Sequence, residues 1–341
     1  MTTDTQRMST GSLLRRPDAG AFLGMIAVYI FFVIFGGVNF VSAGGFASWL
    51  NVAAEIGIVA LPIGLLMIAG EMDISVGSVI PAASMTVAVI SGHLGAPLIV
   101  GVAAALALGL AIGFINGVVV LRTNVPSLIV TLGTLFMVAG LTLGISVLVA
   151  GSTGVPIKAD PLGKALLGQF VGSMFNMGDV FETTIFWWVL AIAIVGYFLH
   201  LSPYGNWIFA IGGDKLSARN AGIPTERLTV LMFMYSSFSA AFVGIAQAIL
   251  YNQAQVSAGQ SFIFNSIISV VIGGVLLTGG FGSVAGIVFG TMTFAIVNQG
   301  IFYTGFNANW ASLIIGILLL LAVLMNNTFR RMALTYSPKK K

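Results

Sequence analysis

The feature that most constrains this chain is a succession of apolar stretches, most about 18 residues or longer and nearly free of charge. Coiled as a helix at 1.5 Å per residue, a stretch of that length crosses a hydrocarbon core of about 30 Å. Only 7% of the residues are charged, against about 25% in soluble domains, so water cannot cover what this chain exposes. In lipid every backbone polar group must be satisfied internally, which leaves helices or closed barrels. The runs here are continuous rather than alternating in period two, so helices are expected and barrel strands are not. The expected fold is all-α: a polytopic transmembrane helical bundle.

Ten spans are expected, at about 21–38, 48–70, 75–91, 97–121, 127–150, 184–201, 229–250, 262–278, 283–302 and 310–325. Val41-Ser42-Ala43 loosely imitates a signal cleavage site, but the first run exceeds a usual signal core, so an uncleaved first helix is expected. An even count puts both termini on one side. Placing them in the cytoplasm assigns Arg7, Arg15, Arg16, Arg122, Lys215, Arg219, Arg227, Arg330, Arg331, Lys339, Lys340 and Lys341 to the inside. Only Lys158 and Lys164 fall outside, as the positive-inside rule requires. Trp49, Trp187, Trp188 and Trp310 begin spans that start on the outer side, as an outer aromatic belt would. The division that follows is a cytoplasmic tail over 1–19, a transmembrane domain over 20–326 and a basic cytoplasmic tail over 327–341. Within the domain, 151–183 forms a periplasmic loop and 202–228 a cytoplasmic one.

Both loops are longer than a connection needs. The outer one carries Leu162, Leu166, Leu167 and Phe170 beside Asp160, Asp179 and Glu182, the pattern of a short helix lying on a membrane surface, where a soluble partner can dock. The inner one contains a helix-forming stretch over 215–220 that Gly222 and Pro224 stop.

Chemistry is limited by what is missing. There is no cysteine, so disulfides and thiolate metal sites are excluded. His93 and His200 lie at expected span ends, far apart, and suggest polar interfacial tips rather than a metal site; no metal or cofactor is expected. Nothing matches the phosphate loop ending in Gly-Lys-Ser/Thr, so the chain itself carries no sign of ATP binding. The net charge of +4 is explained by topology, and no nucleic-acid partner is implied. Gly280, Gly282 and Gly286 imitate a dinucleotide fingerprint with wrong spacing. They fit close helix packing, as do Gly109, Gly113 and Gly117 at intervals of four. A short echo of Met85-Thr86 with Ala88 in Met292-Thr293 with Ala295 is explained as well by chance as by an internal repeat.

Three kinds of polar residue remain. Glu71 and Asp73 lie close together between two spans, with no nucleophile or metal set beside them; capping or gating is favoured over catalysis, since Asp73 precedes a helical run. Glu55 has two readings, an ionisable functional group at membrane depth or a side chain reaching the outer interface. Asn51, Asn116, Asn124, Thr131, Thr134, Asn252, Gln253, Asn265, Asn298 and Gln299 are uncharged residues within or beside spans, suited to hydrogen-bonding a neutral hydroxylated solute, or one another. Scarce Lys and Arg within the spans argue against an anionic solute.

Four motifs then carry a resemblance. Gly70-Glu-Met-Asp-Ile-Ser-Val-Gly-Ser78 is similar to Gly-Gly-Ile-Asp-Leu-Ser-Val-Gly-Ser of the permease subunits of ATP-binding cassette importers for ribose, xylose, galactose and related small polyols. Asn116-Gly117 with Val125-Pro-Ser-Leu-Ile-Val-Thr-Leu-Gly-Thr134, Gly212-Gly213 through Arg219 to Gly222-Ile223, and Gly273-Gly274 with Gly279-Gly280-Phe-Gly-Ser283 resemble the family's further motifs in order. Glu71 departs from a usual small residue, and Asp214-Lys215 from a usual Asn-containing pair. The resemblance implies a permease that pairs with a second one, identical or different, above two ATPase subunits and below a periplasmic solute-binding protein, in the bacterial inner membrane. It also implies that Gly212, Gly213, Asp214, Ala218, Arg219, Gly222 and Ile223 dock the ATPase. Glu55, Glu71, Asp73, Ser75, Asn116, Thr131, Thr134 and Asn298 are then candidates for the translocation pathway or its gate. An ion-coupled secondary transporter is the main rival, and an intramembrane enzyme the second.

Overall fold

The computed structural model describes residues 18–307 apart from 124, 158, 159 and 176–179, together with 310, 313, 316, 317, 320, 321 and 324. Residues 1–17 of the first expected tail, all of the second, most of the last span and the basic residues they carry lie outside the described residues, as do Asn124, Lys158 and Asp179.

The helices are α1 (Ala19–Val41), α2 (Ala43–Ile68), α3 (Val76–Val87, continued by a π turn over Ala88–His93), α4 (Leu98–Thr123), α5 (Ser127–Ala150), α6 (Thr184–Leu201), α7 (Pro203–Gly213), α8 (Lys215–Asn220), α9 (Thr225–Tyr251), α10 (Gln260–Ile272) and α11 (Val284–Gly300). Eight helical segments among the described residues are long and apolar enough to cross a membrane, making this an all-α multi-pass membrane protein. The segment expected to span at 262–278 is instead the 13-residue α10, about 20 Å long and short of a full crossing. Val275, Leu276 and Leu277 prolong the hydropathy, but the helix has already ended: Gly274 at φ +87° closes it while Val275 N donates to Val270 O.

The core is built on α2, α3, α9 and α11. Helix α2 is buried along nearly its whole length, with Leu61, Ile63, Leu66 and Met67 inaccessible. Helix α4 packs against α9 through the glycine ladder: a Cβ at Gly109 would meet Ala241 and the Ser237 carbonyl, one at Gly113 the Phe233 and Met234 backbone, and one at Gly117 Val230. Close approach is therefore what those spacings of four encode. Gly286 likewise faces the Gly273 carbonyl, which accounts for the false fingerprint.

Helix α5 is built inside out. Its buried positions are Ser127, Thr131, Thr134, Thr142 and Ser146, all hydroxyls, while Leu128, Ile129, Phe136, Met137, Leu141 and Leu148 face outward. Outside the spans, the 161–171 region is helical as expected, with Leu162, Leu166 and Phe170 exposed. Asp160 starts it, accepting from Gly163 N and from Leu98 N at the head of α4, and these amides hold its carboxyl below the usual range. Two small ribbons complete this side: β1 (Gly154–Pro156) pairs with β4 (Gln253–Gln255), and β2 (Met174–Phe175) with β3 (Phe181–Glu182), both antiparallel.

Candidate functional site

Between α2 and α3 the chain turns through an elbow at 69–75. Gly70, at φ +80°, ends α2 in a Schellman turn, with Glu71 N donating to Leu66 O and Gly70 N to Met67 O. The following residues are extended, so their backbone groups need partners, and α5 supplies them. Ser127 Oγ accepts from Met72 N at 3.0 Å, and Thr131 Oγ1 accepts from Ile74 N at 3.3 Å.

At the end of the elbow Asp73 is wholly buried. Its Oδ1 accepts from Ser75 N at 2.9 Å and from Ser75 Oγ at 2.6 Å, a turn that starts α3 as expected. The Ser75 hydroxyl accepts from Asn116 Nδ2 at 3.0 Å, and Asn116 Oδ1 accepts from Thr134 Oγ1 at 2.6 Å. One connected network thus joins the elbow, α3, α4 and α5. The Ser236 hydroxyl on α9 lies beside the Asp73 carboxylate, whose Oδ2 is buried with no direct hydrogen-bond partner.

The 202–228 segment reaches the same elbow from the other side. Gly212, near the end of α7, fits where a Cβ would strike the Ile68 carbonyl and the Gly280 amide, and Gly280 N itself donates to Ile68 O at 2.8 Å. Asp214 then caps α8, accepting from Ser217 N at 2.6 Å, which holds its carboxyl below the usual range. Ala218 is buried and Arg219 pairs with Glu226 at 3.1 Å in the open. Gly222, at φ +84°, and Ile223 close α8 in a second Schellman turn. Helix α8 has the bounds and the stop expected of it.

The candidate pathway residues fall in three places. Asp73, Ser75, Asn116, Thr131 and Thr134 form the network, with Glu71 on its inner rim, bonded to Lys215 Nζ at 2.6 Å. Glu55 stands 13 residues before Ile68 on α2, about 20 Å along the helix. There Gln247 Nε2 donates to its Oε2 at 2.9 Å, while Oε1 is buried and unpartnered. Asn298 lies on α11 and accepts from its neighbour Gln299.

Lys215 and, at or beyond the far end of α9, Gln247, Tyr251 and Gln255 did not figure among the candidates, whereas Gln253 did. Gln247, Tyr251, Gln253, Gln255 and Ser84 line an open cavity of about 320 Å³ there. The signal for Lys215 lay in its opposite charge to Glu71, since both depart from the motifs around them. Gln247 and Gln255 carried none, because a glutamine near a helix end looks like any interfacial residue. A second cavity, of about 540 Å³ between α3, α4 and α5, is walled by Met85, Ile112, Met137 and Leu141 and is almost wholly apolar. His200, expected as an interfacial tip, accepts from Val284 N at the head of α11, where Ser283 also bonds Asp18.

Known proteins match nearly the whole of this arrangement. The chain is 30% identical over 311 residues to the fructose import permease protein FrcC of Rhizobium meliloti, covering 91% of this chain and 84% of that one. It is 28% identical over 291 residues to the ribose import permease protein RbsC of Escherichia coli K12, covering 85% and 87%. The autoinducer 2 import system permease protein LsrD of Photorhabdus laumondii is 29% identical over 272 residues, covering 79% and 78%. No solved structure matches. The family model described as branched-chain amino acid transport system / permease component matches residues 45–323, from the first turn of α2 to beyond α11. These descriptions differ in solute and agree in role, and the chain belongs to this family of transport-system permease components.

Proposed function

We propose that this chain is the permease of an ATP-driven importer in the bacterial cytoplasmic membrane, carrying a neutral monosaccharide or related polyol delivered by a periplasmic binding protein. Two ATPase subunits supply the energy, and a second permease, identical or different, completes the pathway. Ten crossings, the eighth made by α10 together with the following chain to Gly280 beside Ile68 at the other end of α2, put both termini in the cytoplasm, α8 inside and the β1–β4 ribbon outside.

The observation that carries this reading is the junction at Gly212. There the end of α7 abuts the Ile68 carbonyl, near the end of α2, with no side chain between them. A displacement of α7 is therefore delivered to the elbow and its polar network, a two-state rigid-body switch of the kind that alternates access. The solute class follows from the sugar-import relatives and from the 320 Å³ outer cavity, whose lining of Gln, Tyr and Ser offers donors and acceptors without a cation for an anionic solute.

The test is reconstitution with the ATPase and binding protein. Gly212→Val is expected to abolish binding-protein-stimulated ATP hydrolysis and uptake while the ATPase still co-purifies; uptake that proceeds without any ATPase overturns the proposal. Because the chain has no cysteine, single cysteines at Ser217 and Ser152 report topology directly. An impermeant maleimide should label the first only from inside and the second only from outside.

The unpartnered Glu55 Oε1 favours one second reading, ion-coupled secondary transport through a carboxylate at membrane depth. Uptake that collapses with an uncoupler and persists without ATP would select it.

A further inference from the structure

Helix α8 is a poor lever by itself. It has six residues, fewer than an isolated helix needs, and it is flanked by Gly213 and Gly222, two positions with no side chain to stiffen them. A push on α8 could be absorbed by rotation at these two joints before reaching the elbow. What stops such rotation is a contact that closes a loop around them.

Three polar side chains on or beside α8 are candidates. Asp214 is committed to the amide of its own helix, and Arg219 pairs locally with Glu226, both partners being mostly exposed at 67% and 60%. Lys215 differs: its ammonium reaches across to Glu71, 144 residues away in the chain, at 2.6 Å. The Glu71 side chain is only 11% exposed, and that of Lys215 41%, so this bond is shielded from water as the Arg219 pair is not. Glu71 is in turn fixed by the Schellman turn at Gly70 and lies two residues before Asp73. One ion pair therefore connects α8 to the segment that starts the buried network.

We infer that the Glu71–Lys215 pair is a strut that makes α8 and the elbow move as one body, so that both are positioning residues for transmission from the cytoplasmic face to Asp73. The inference rests on the importer reading above. Gly212 provides the pivot and the ion pair the second point of attachment; two points define a rigid connection where one allows rotation. Opposite charges at the two departures from the family motif are then a single feature, because each without the other leaves a partly buried charge unpaired.

The experiment uses the full complex in nanodiscs, reading the ratio of binding-protein-stimulated to unstimulated ATP hydrolysis together with co-purification of the ATPase. Lys215→Glu and Glu71→Lys are each expected to lower that ratio about tenfold while assembly is retained. The exchanged pair, Glu71→Lys with Lys215→Glu, should return it to within about twofold of the parent, and Lys215→Arg alone should preserve it. A pair needed only for folding or assembly would lower co-purification of the ATPase in step with the ratio, whereas the strut lowers the ratio with co-purification intact. Single variants that keep the parent ratio, or an exchanged pair no better than the singles, overturn the strut and leave the importer reading standing. Should either single variant fail to assemble, Glu71→Gln, which removes the charge without reversing it, takes its place; an unchanged ratio there overturns the strut equally. A parent complex that shows no stimulation at all overturns the importer reading and the strut with it.

Discussion

At the scale of single residues, the network is decided by hydrogen bonds whose alternatives are poor. Asn116 is wholly buried and uses both ends of its amide, donating to Ser75 and accepting from Thr134. Asn116→Ala removes one partner from each hydroxyl, leaving Ser75 bonded to Asp73 and Thr134 to the Val130 carbonyl, and is expected to cost about 1–2 kcal/mol in a detergent unfolding assay. Thr142, on the same face of α5, donates only to Val138 O of its own helix, so Thr142→Val should cost about 0.6 kcal/mol or less. Glu182 allows a pH test: burial pushes its carboxyl above the ordinary range, opposed by the Thr184 hydroxyl. The folded state then holds its proton more tightly than the unfolded one, so this stability is present in acid and is lost as pH rises through the folded value. Glu182→Gln should raise the melting temperature at pH 8 and leave it unchanged at pH 4.

Elements differ in how much of their surface the bundle uses, and substitution should expose the difference. On α4 a Cβ at Gly113 would come within 2.5 Å of the Phe233 carbonyl of α9. On α5 Gly133 and Gly140 face open space. Gly113→Ala is expected to destabilise the protein by about 1–3 kcal/mol as the two helices part, whereas Gly133→Ala and Gly140→Ala should be neutral or stabilising, alanine being the better helix former. Helix α8 allows a related comparison. Gly222→Ala forces a side chain into the left-handed region and should cost about 1–2 kcal/mol, while Arg219→Ala breaks only an exposed pair worth below about 1 kcal/mol. Replacing Arg219 and Gly222 together is expected to abolish ATPase coupling in reconstituted complexes while membrane insertion is unaffected.

For the whole molecule, the arrangement is a buried column of α2, α3, α9 and α11 clad by helices whose outer faces are apolar. The two polar regions on the column lie at opposite ends, the Asp73 network beside α7 and the Gln247 cavity beside the β1–β4 ribbon. Their separation fits a pathway with two gates rather than one reaction centre. Double substitutions taken from opposite ends, Asn116→Ala with Gln247→Ala, should therefore add in stability to within about 0.5 kcal/mol, whereas Asn116→Ala with Thr134→Val should not, because those two share a bond.

Much of this was legible in the residues alone. Long uncharged runs dictated helices and a membrane; Asp73 announced a helix start; Gly222 with Pro224 announced the end of α8; and spacings of four in α4 announced close packing. Each of these is local, because backbone dihedrals, capping and hydropathy depend on residues within a turn or two. What only the tertiary structure decided depends on the rotational phase of one helix against another. That phase turned the hydroxyls of α5 inward, brought Asn116 to Ser75 and set Lys215 beside Glu71 across 144 residues. Lipid is apolar and makes no demand on which polar side chains meet; only the packing of the helices makes that choice.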